Sequence, residues 1–273
     1  MTLDPTLLRA RATVLRALRG WFDAHGYLEV PTPARVVCGA LEEHLETVDA
    51  AGRPLRTSPE LALKRAVAAG LGRVYEIGPC FRAEEDGVHH SLEFTMLEWY
   101  RVGAGTAELM DEVESLVAAA ARALGQSAPV FTRRRVDALL ADPGPAAADA
   151  WFHAWVDAVE PTLTEPTIVW GYPAWQAALA RVRDGRADRF EVYLGGIELA
   201  NAFAEEPCAA ELLDRQHAAN ARRAAAGRPP HPVDPAFYDA LPAMPRCAGI
   251  ALGVDRLVLA LTGAPHIRAV QVR

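Results

Sequence analysis

Two adjacent glycines constrain this chain more than any other feature. They divide the run RFEVYLGGIELANAF, residues 189–203, into two halves that each read as a strand. Gly195-Gly196 suits a two-residue turn with positive φ at both central positions, and such a turn joins antiparallel strands. Counted outward from that turn, Leu194 faces Ile197, Tyr193 faces Glu198 and Glu191 faces Ala200. Glu191 and Glu198 then share a face as diagonal neighbours, roughly 7–8 Å apart at the backbone. Two carboxylates so placed repel unless a cation lies between them. Mg2+ takes one or two carboxylates together with substrate phosphates. A solvated acidic face is the alternative, and the commoner fate of two glutamates on a hairpin.

Other segments carry their own punctuation. Residues 5–25 form an amphipathic pattern through Leu7, Leu8, Val14, Leu15, Leu18, Trp21 and Phe22, with Gly26 as its stop. YLEVPTP reads as a short strand ended by prolines. TSPELALKRAVAAG offers Ser58 as N-cap, Pro59 at the first helical position and Gly70 after the end. RVYEIGPCFRAEE and EFTMLEWYRV read as strands joined by a polar loop at 84–92. Residues 107–123 are helical, and 208–226 are helical up to Gly227. CAGIALGVDRLVLALTG reads as a buried strand running into a helix, with Gly263 after its end. The stretch 141–150, ADPGPAAADA, reads as a surface connection inside one unit. Hairpin-joined strands with helices between them predict an α+β fold: a mostly antiparallel sheet flanked by helices, as a single domain over 1–273.

Composition narrows the function classes. With 51% hydrophobic residues the chain can bury a sizeable core. No apolar run is long enough to span a bilayer, and the N-terminus lacks a signal-peptide pattern. Cys38, Cys80, Cys208 and Cys247 stand far apart, which predicts reduced thiols in a cytoplasmic protein. A net charge of −7 weighs against a dedicated nucleic-acid binder. P-loop, dinucleotide, zinc-protease and nucleophile-elbow motifs are all absent. If this chain handles a nucleotide, arginine forks and metal must meet the phosphates.

The strand EFTMLEWYR supplies a candidate site face. Alternation groups Phe94, Met96, Glu98 and Tyr100 on one side, and Thr95, Leu97 and Trp99 on the other. The first side could cradle a planar base and then something positive; a core face with one ion-paired glutamate is the alternative. Glu98 is expected to face a pocket and to meet a cation there, either a ligand ammonium or an arginine. Arg82, at the end of the preceding strand, is either a rim residue or a phosphate fork.

Taken in order, these segments resemble the class II aminoacyl-tRNA synthetases, the lysyl branch in particular. GYLEVPTP resembles motif 1, FRAEE…HHSLEFTMLEWY motif 2, and GIALGVDRLVLALTGA motif 3. TSPELALKR and RFEVYLGGIELANAFAEE resemble the amino-acid-binding loop and the metal hairpin. Motif 1 begins at residue 26, so the chain reads as a catalytic domain without the anticodon-binding barrel. That is the pattern of the elongation factor P (R)-β-lysine ligase family, a lysyl-synthetase paralogue that modifies a protein lysine. Ala251 stands where lysyl-tRNA synthetases usually have glycine and these ligases have alanine, an extra methyl that favours a β-amino acid.

The resemblance implies ATP and Mg2+ and assigns roles by position. Arg82 would clamp the α-phosphate and the carboxylate under activation, and Arg256 the γ-phosphate, both stabilising charge at an in-line displacement. Phe94 would stack on adenine, with Glu84 at its amino group and Ala83 alongside. His90 and Ser91 would lie beside the triphosphate. Glu191 and Glu198 would hold Mg2+, while Leu199 and Gly253 would border the nucleotide with their backbones. Ser58, Pro59 and Glu60 would frame the substrate's amino group near its carboxylate. Tyr100 and Glu205 would bind the distal ammonium, with Ala251 shaping the pocket. The implied partners are elongation factor P as acceptor, a lysine-like amino acid and a second copy of the chain in a homodimer, with no membrane.

Departures from the family pattern are Ser91-Leu92 for Asn-Pro, Val88 for a basic residue, Ala202 for glycine and Ala204 for a larger polar residue. They bear on triphosphate affinity and the acceptor surface. Two other functions compete. One is a truncated synthetase acting on tRNA or a carrier protein, which the acidic balance and missing barrel oppose. The other is a silent paralogue that binds an amino acid or adenylate, which the intact Arg82, Glu191, Glu198 and Arg256 oppose.

Overall fold

An eight-stranded sheet forms the centre of the molecule, in a computed structural model that describes residues 3–272. Its strands are β1 (Leu28–Glu29), β2 (Arg73–Phe81), β3 (Glu93–Val102), β4 (Thr132–Arg135), β5 (Thr167–Trp170), β8 (Arg189–Leu194), β9 (Ile197–Ala204) and β10 (Cys247–Gly253). A separate two-stranded ribbon joins β6 (Val182–Arg183) to β7 (Arg186–Ala187). The large sheet runs β1-β2-β3-β10-β9-β8-β5-β4. Only the two edge pairs, β1 with β2 and β4 with β5, are parallel. The mostly antiparallel sheet is therefore as expected.

Helices α1 (Pro5–Ala24), α3 (Thr106–Ala123) and α7 (Val254–Thr262) cover one face. Their apolar stripes bury Leu18, Phe22, Leu109, Leu116, Leu257 and Val258 against Leu97, Trp99 and Ile250 of the sheet. This is the side to which alternation assigns Leu97 and Trp99. Asp255 clasps this layer together. It is buried at the start of α7 and accepts from Arg11 of α1 at 2.9 Å, the Thr95 amide at 2.7 Å and Gln271 at 3.1 Å. The opposite face carries α2 (Glu60–Ala68), α5 (Ala209–Ala225) and α6 (Pro235–Ala240) around a smaller apolar cluster. It also carries the pocket described below.

Three local expectations need correction. Helix α2 starts at Glu60, one residue later than expected, with Pro59 at φ −77° and ψ 0° in the capping position. Ser58 Oγ still accepts from the Glu60 amide at 3.0 Å, so its capping chemistry survives the shift. The stretch 141–150 is not a plain connection, because α4 (Ala148–Ala154) begins within it and a π-turn continues to Val159. Trp151, Trp155 and Val159 recur every fourth residue and bury together, with the two indoles stacked at 5.0 Å. That spacing was the available signal, masked by the Pro/Gly-bearing approach.

The third correction is in the hairpin. Gly195 and Gly196 do take positive φ, at 64° and 74°, and Leu194–Ile197 and Tyr193–Glu198 do pair. Beyond Tyr193 the register shifts, so Glu191 faces Asn201 rather than Ala200. An extra residue in β9 forms a bulge, which reverses the side-chain parity beyond it. Glu198 and Glu205 are an odd number of residues apart, and strict alternation would put them on opposite faces. The bulge lets Glu198, Asn201, Phe203 and Glu205 all serve the pocket side, while Leu199, Ala200 and Ala202 enter the core.

Candidate active site

A pocket opens over the middle of the sheet, floored by β3, β10 and β9 and walled by the start of α2 and the loop 39–45. Strand register builds the floor in rows. Glu98, Ala251 and Asn201 lie side by side, as do Tyr100, Gly249 and Phe203. Gly249 has no room for a side chain, because a Cβ there would lie 2.2 Å from the Tyr100 ring and 2.8 Å from Glu205 Oε1. Ser58, Glu60, Tyr100, Glu205 and Ala251 all line this one pocket, together with Arg82. Pro59 is buried at the head of α2.

Glu98 is 2% exposed and lines the pocket, as expected. Its bonded partners are hydroxyls rather than an arginine: Ser58 Oγ at 2.5 Å and Tyr100 Oη at 2.6 Å. Of the two cations expected there, a ligand ammonium or an arginine, the arginine is not among its bonded partners. Burial, then the nearby Glu60, pushes the Glu98 carboxyl up to about 8, so it holds its proton at neutral pH. Behind the pocket wall lies a buried cation that the sequence reading missed. Lys64 is 1% exposed, and its ammonium lies 2.5 Å from Glu60 and 2.6 Å from Glu205. Its one-turn spacing from Glu60 on a helix was the signal.

The second half of the site lies past Arg82. The Arg82 guanidinium sits 5.2 Å from the Phe94 ring centre and 3.4 Å from Glu85. The backbone that follows is unusual: Glu84 takes a positive φ of 66°, and the Ala83 amide bonds to Glu46. Arg256, from the first turn of α7, donates to the Glu198 carbonyl at 3.0 Å and to its carboxylate at 3.4 Å. It also donates to His90 Nε2 at 2.6 Å and the His89 carbonyl at 3.2 Å. Burial and then Arg256 hold His90 below its usual range. Ser91 is buried, with its hydroxyl unpartnered among the described residues. Gly253 faces Met96 where β10 passes into α7, and Leu199 sits at the hairpin bulge.

Carboxylates crowd the hairpin. Glu191 accepts from Tyr172 and Tyr193 at 2.5 Å each and from Arg189. Burial, and then the charge of Glu191, raise Glu198. Glu160 is a third carboxylate here that was not foreseen; burial, then Glu198 and Glu191, push it up to about 7. Repulsion of this kind fits a site that takes positive charge. Among the described residues, no group of three or more His, Cys, Asp or Glu converges closely enough to hold an ion unaided. Any divalent ion at Glu191 and Glu198 would need further oxygens, which fits Mg2+ arriving with phosphates.

The sequence that builds this site is matched by known proteins. The family of class II tRNA synthetases (D, K and N) matches residues 5–272, and the chain belongs to it. Within that class it belongs with the elongation factor P–(R)-β-lysine ligases. The enzyme of that name from Vibrio cholerae is 37% identical over 97% of this chain and 94% of its own length. The Vibrio vulnificus enzyme is 39% identical over 95% and 93%, and the Salmonella typhi enzyme 37% over 96% and 93%. No helix among the described residues is long and apolar enough to cross a membrane.

Proposed function

We propose that this protein is an ATP-dependent ligase that activates (R)-β-lysine as an aminoacyl-adenylate and transfers it to a lysine side chain of elongation factor P. The observation that carries this reading is the buried pocket of Ser58, Glu60, Glu98, Tyr100 and Glu205 beside Arg82. It offers excess negative charge to ammonium groups next to a guanidinium suited to a carboxylate and a phosphate. The relatives' names supply the amino acid and the acceptor.

In the first step the substrate carboxylate attacks the α-phosphorus of ATP and pyrophosphate leaves. Arg82 holds the carboxylate and α-phosphate, and Arg256 holds the γ-phosphate, so charge that develops in line is stabilised in place. Phe94, Glu84 and the Ala83 backbone take the adenine, while His90, Ser91, Leu199 and Gly253 border the phosphates. Glu191 and Glu198 would hold Mg2+, which supplies positive charge against the triphosphate when bound. In the second step the acceptor amine attacks the acyl carbonyl, AMP leaves with the electron pair of the broken bond, and an amide forms. No nucleophilic side chain is needed, because positioning does the work. Ala251, between Glu98 and Asn201, sets the pocket shape for the β-amino acid. A cytoplasmic homodimer completes the proposal, with Leu28 of β1, 52% exposed, at the strand that motif 1 assigns to pairing.

ATP–pyrophosphate exchange across lysine isomers tests the reading. (R)-β-lysine should support the fastest exchange. Exchange with α-lysine alone, or efficient charging of bulk tRNA, would favour a synthetase instead.

A further inference from the structure

Lys64 has no part in the chemistry above, yet it is a buried cation behind the pocket wall. Its ammonium ion-pairs with Glu60 Oε1 and Glu205 Oε2. Glu205 is 2% exposed, and neither of its oxygens has a hydrogen-bond partner among the described residues; Oε2 has its ion pair with Lys64, and Oε1 has no partner. That oxygen lies against the bare backbone of Gly249, where a Cβ would approach within 2.8 Å. Lys64 thus holds Glu205 by charge through Oε2, in a residue that lines the pocket.

Resting on the amino-acid pocket proposed above, we propose that Lys64 is a positioning residue. It favours the ionised form of Glu205 and holds it toward the distal ammonium, and so sets the preference for a lysine-type substrate over an uncharged isostere. Burial raises the Glu205 carboxyl, and with Lys64 as the strongest lowering influence it lies at about 7. The other groups facing Glu205 are Glu60 from α2, Arg181 from the segment before β6, Tyr100 from β3 and Cys247 from β10. Glu60 raises it and Arg181 lowers it weakly, so neither replaces Lys64. Without the ammonium, Glu60 and Glu205 would be buried carboxyls that have lost their ion-paired cation, and such groups protonate. A protonated Glu205 no longer distinguishes an ammonium from a neutral tail.

The test is ATP–pyrophosphate exchange by the full chain and by Lys64→Met, at neutral and alkaline pH. The probes are (R)-β-lysine and a β-amino acid of equal length without the distal ammonium. Lys64→Met should raise KM for β-lysine by roughly tenfold or more at neutral pH, with KM for ATP within about twofold. The defect should shrink as pH rises and Glu205 ionises, preference over the uncharged probe should fall, and Lys64→Arg should restore part of it. A pH-independent defect, or one shared equally by ATP, overturns the inference. If Lys64→Met does not fold, the pair Glu60→Gln/Lys64→Met removes one charge of each sign. It should show the same pH signature, and an unchanged profile overturns the inference equally. Exchange by the native chain with a normal Lys64→Met profile removes this inference alone. No native exchange with any lysine isomer removes the pocket reading and this inference with it.

Discussion

The two ends of the site are built on opposite principles. At the amino-acid end, Ser58, Glu60, Lys64, Glu98 and Tyr100 form a closed network of short bonds, and Glu205 leaves one oxygen open. At the hairpin end, the charges of Glu198 and Glu191 raise Glu160, that of Glu191 raises Glu198, and Arg256 bonds both Glu198 and His90. On the proposed function, the first end would select by shape and charge, and a nucleotide and its cation would complete the second. Selection and activation can then be disrupted separately.

Arg256→Ala should break the hairpin end most severely. Exchange should fall by about 10²–10³-fold while KM for the amino acid changes little. A parallel loss of amino-acid affinity would mean that the two ends are one coupled unit. Gly249→Ala should break the other end, since its methyl collides with Tyr100 and Glu205. A cost of roughly 1–3 kcal/mol in stability is expected on denaturant titration, with KM for the amino acid raised and KM for ATP kept.

Glu98 sharpens the contrast through pH. Its folded carboxyl lies up near about 8, above the ordinary range of an unfolded glutamate. The protonated group therefore contributes stability that is fully present below the unfolded value and is lost as pH rises through about 8. Glu98→Gln should flatten the fall in stability between about pH 5 and 9, as read from melting temperatures. An unchanged slope would assign the proton elsewhere. The smallest effect is expected from Val88→Arg, on the exposed loop between β2 and β3. A screened charge there should lower KM for ATP by about two- to threefold, and salt should erase the gain.

Much of this was legible because local chemistry and global fold agree. Gly195-Gly196 demanded its turn, Gly227 and Gly263 ended their helices, and alternation separated Trp99 from Tyr100. The bulge in β9 was not legible, because an inserted residue leaves no mark on a strand of small side chains such as Ala200 and Ala202. Lys64 was passed over because a lysine on a helix is ordinarily exposed. Only the convergence of α2 with β9 shows it to be buried. Glu160 reaches the hairpin through tertiary packing of the 160–164 turn, whose carbonyls at Leu163 and Thr164 accept from the Gly196 and Gly195 amides. Nothing local announces that contact.

Transfer to the acceptor protein tests the central claim most directly. Elongation factor P, incubated with this protein, ATP and (R)-β-lysine, should gain the mass of one β-lysyl group on a single lysine, as read by intact-mass and peptide spectra. An unchanged mass, under conditions where pyrophosphate exchange proves that the adenylate forms, would contradict it.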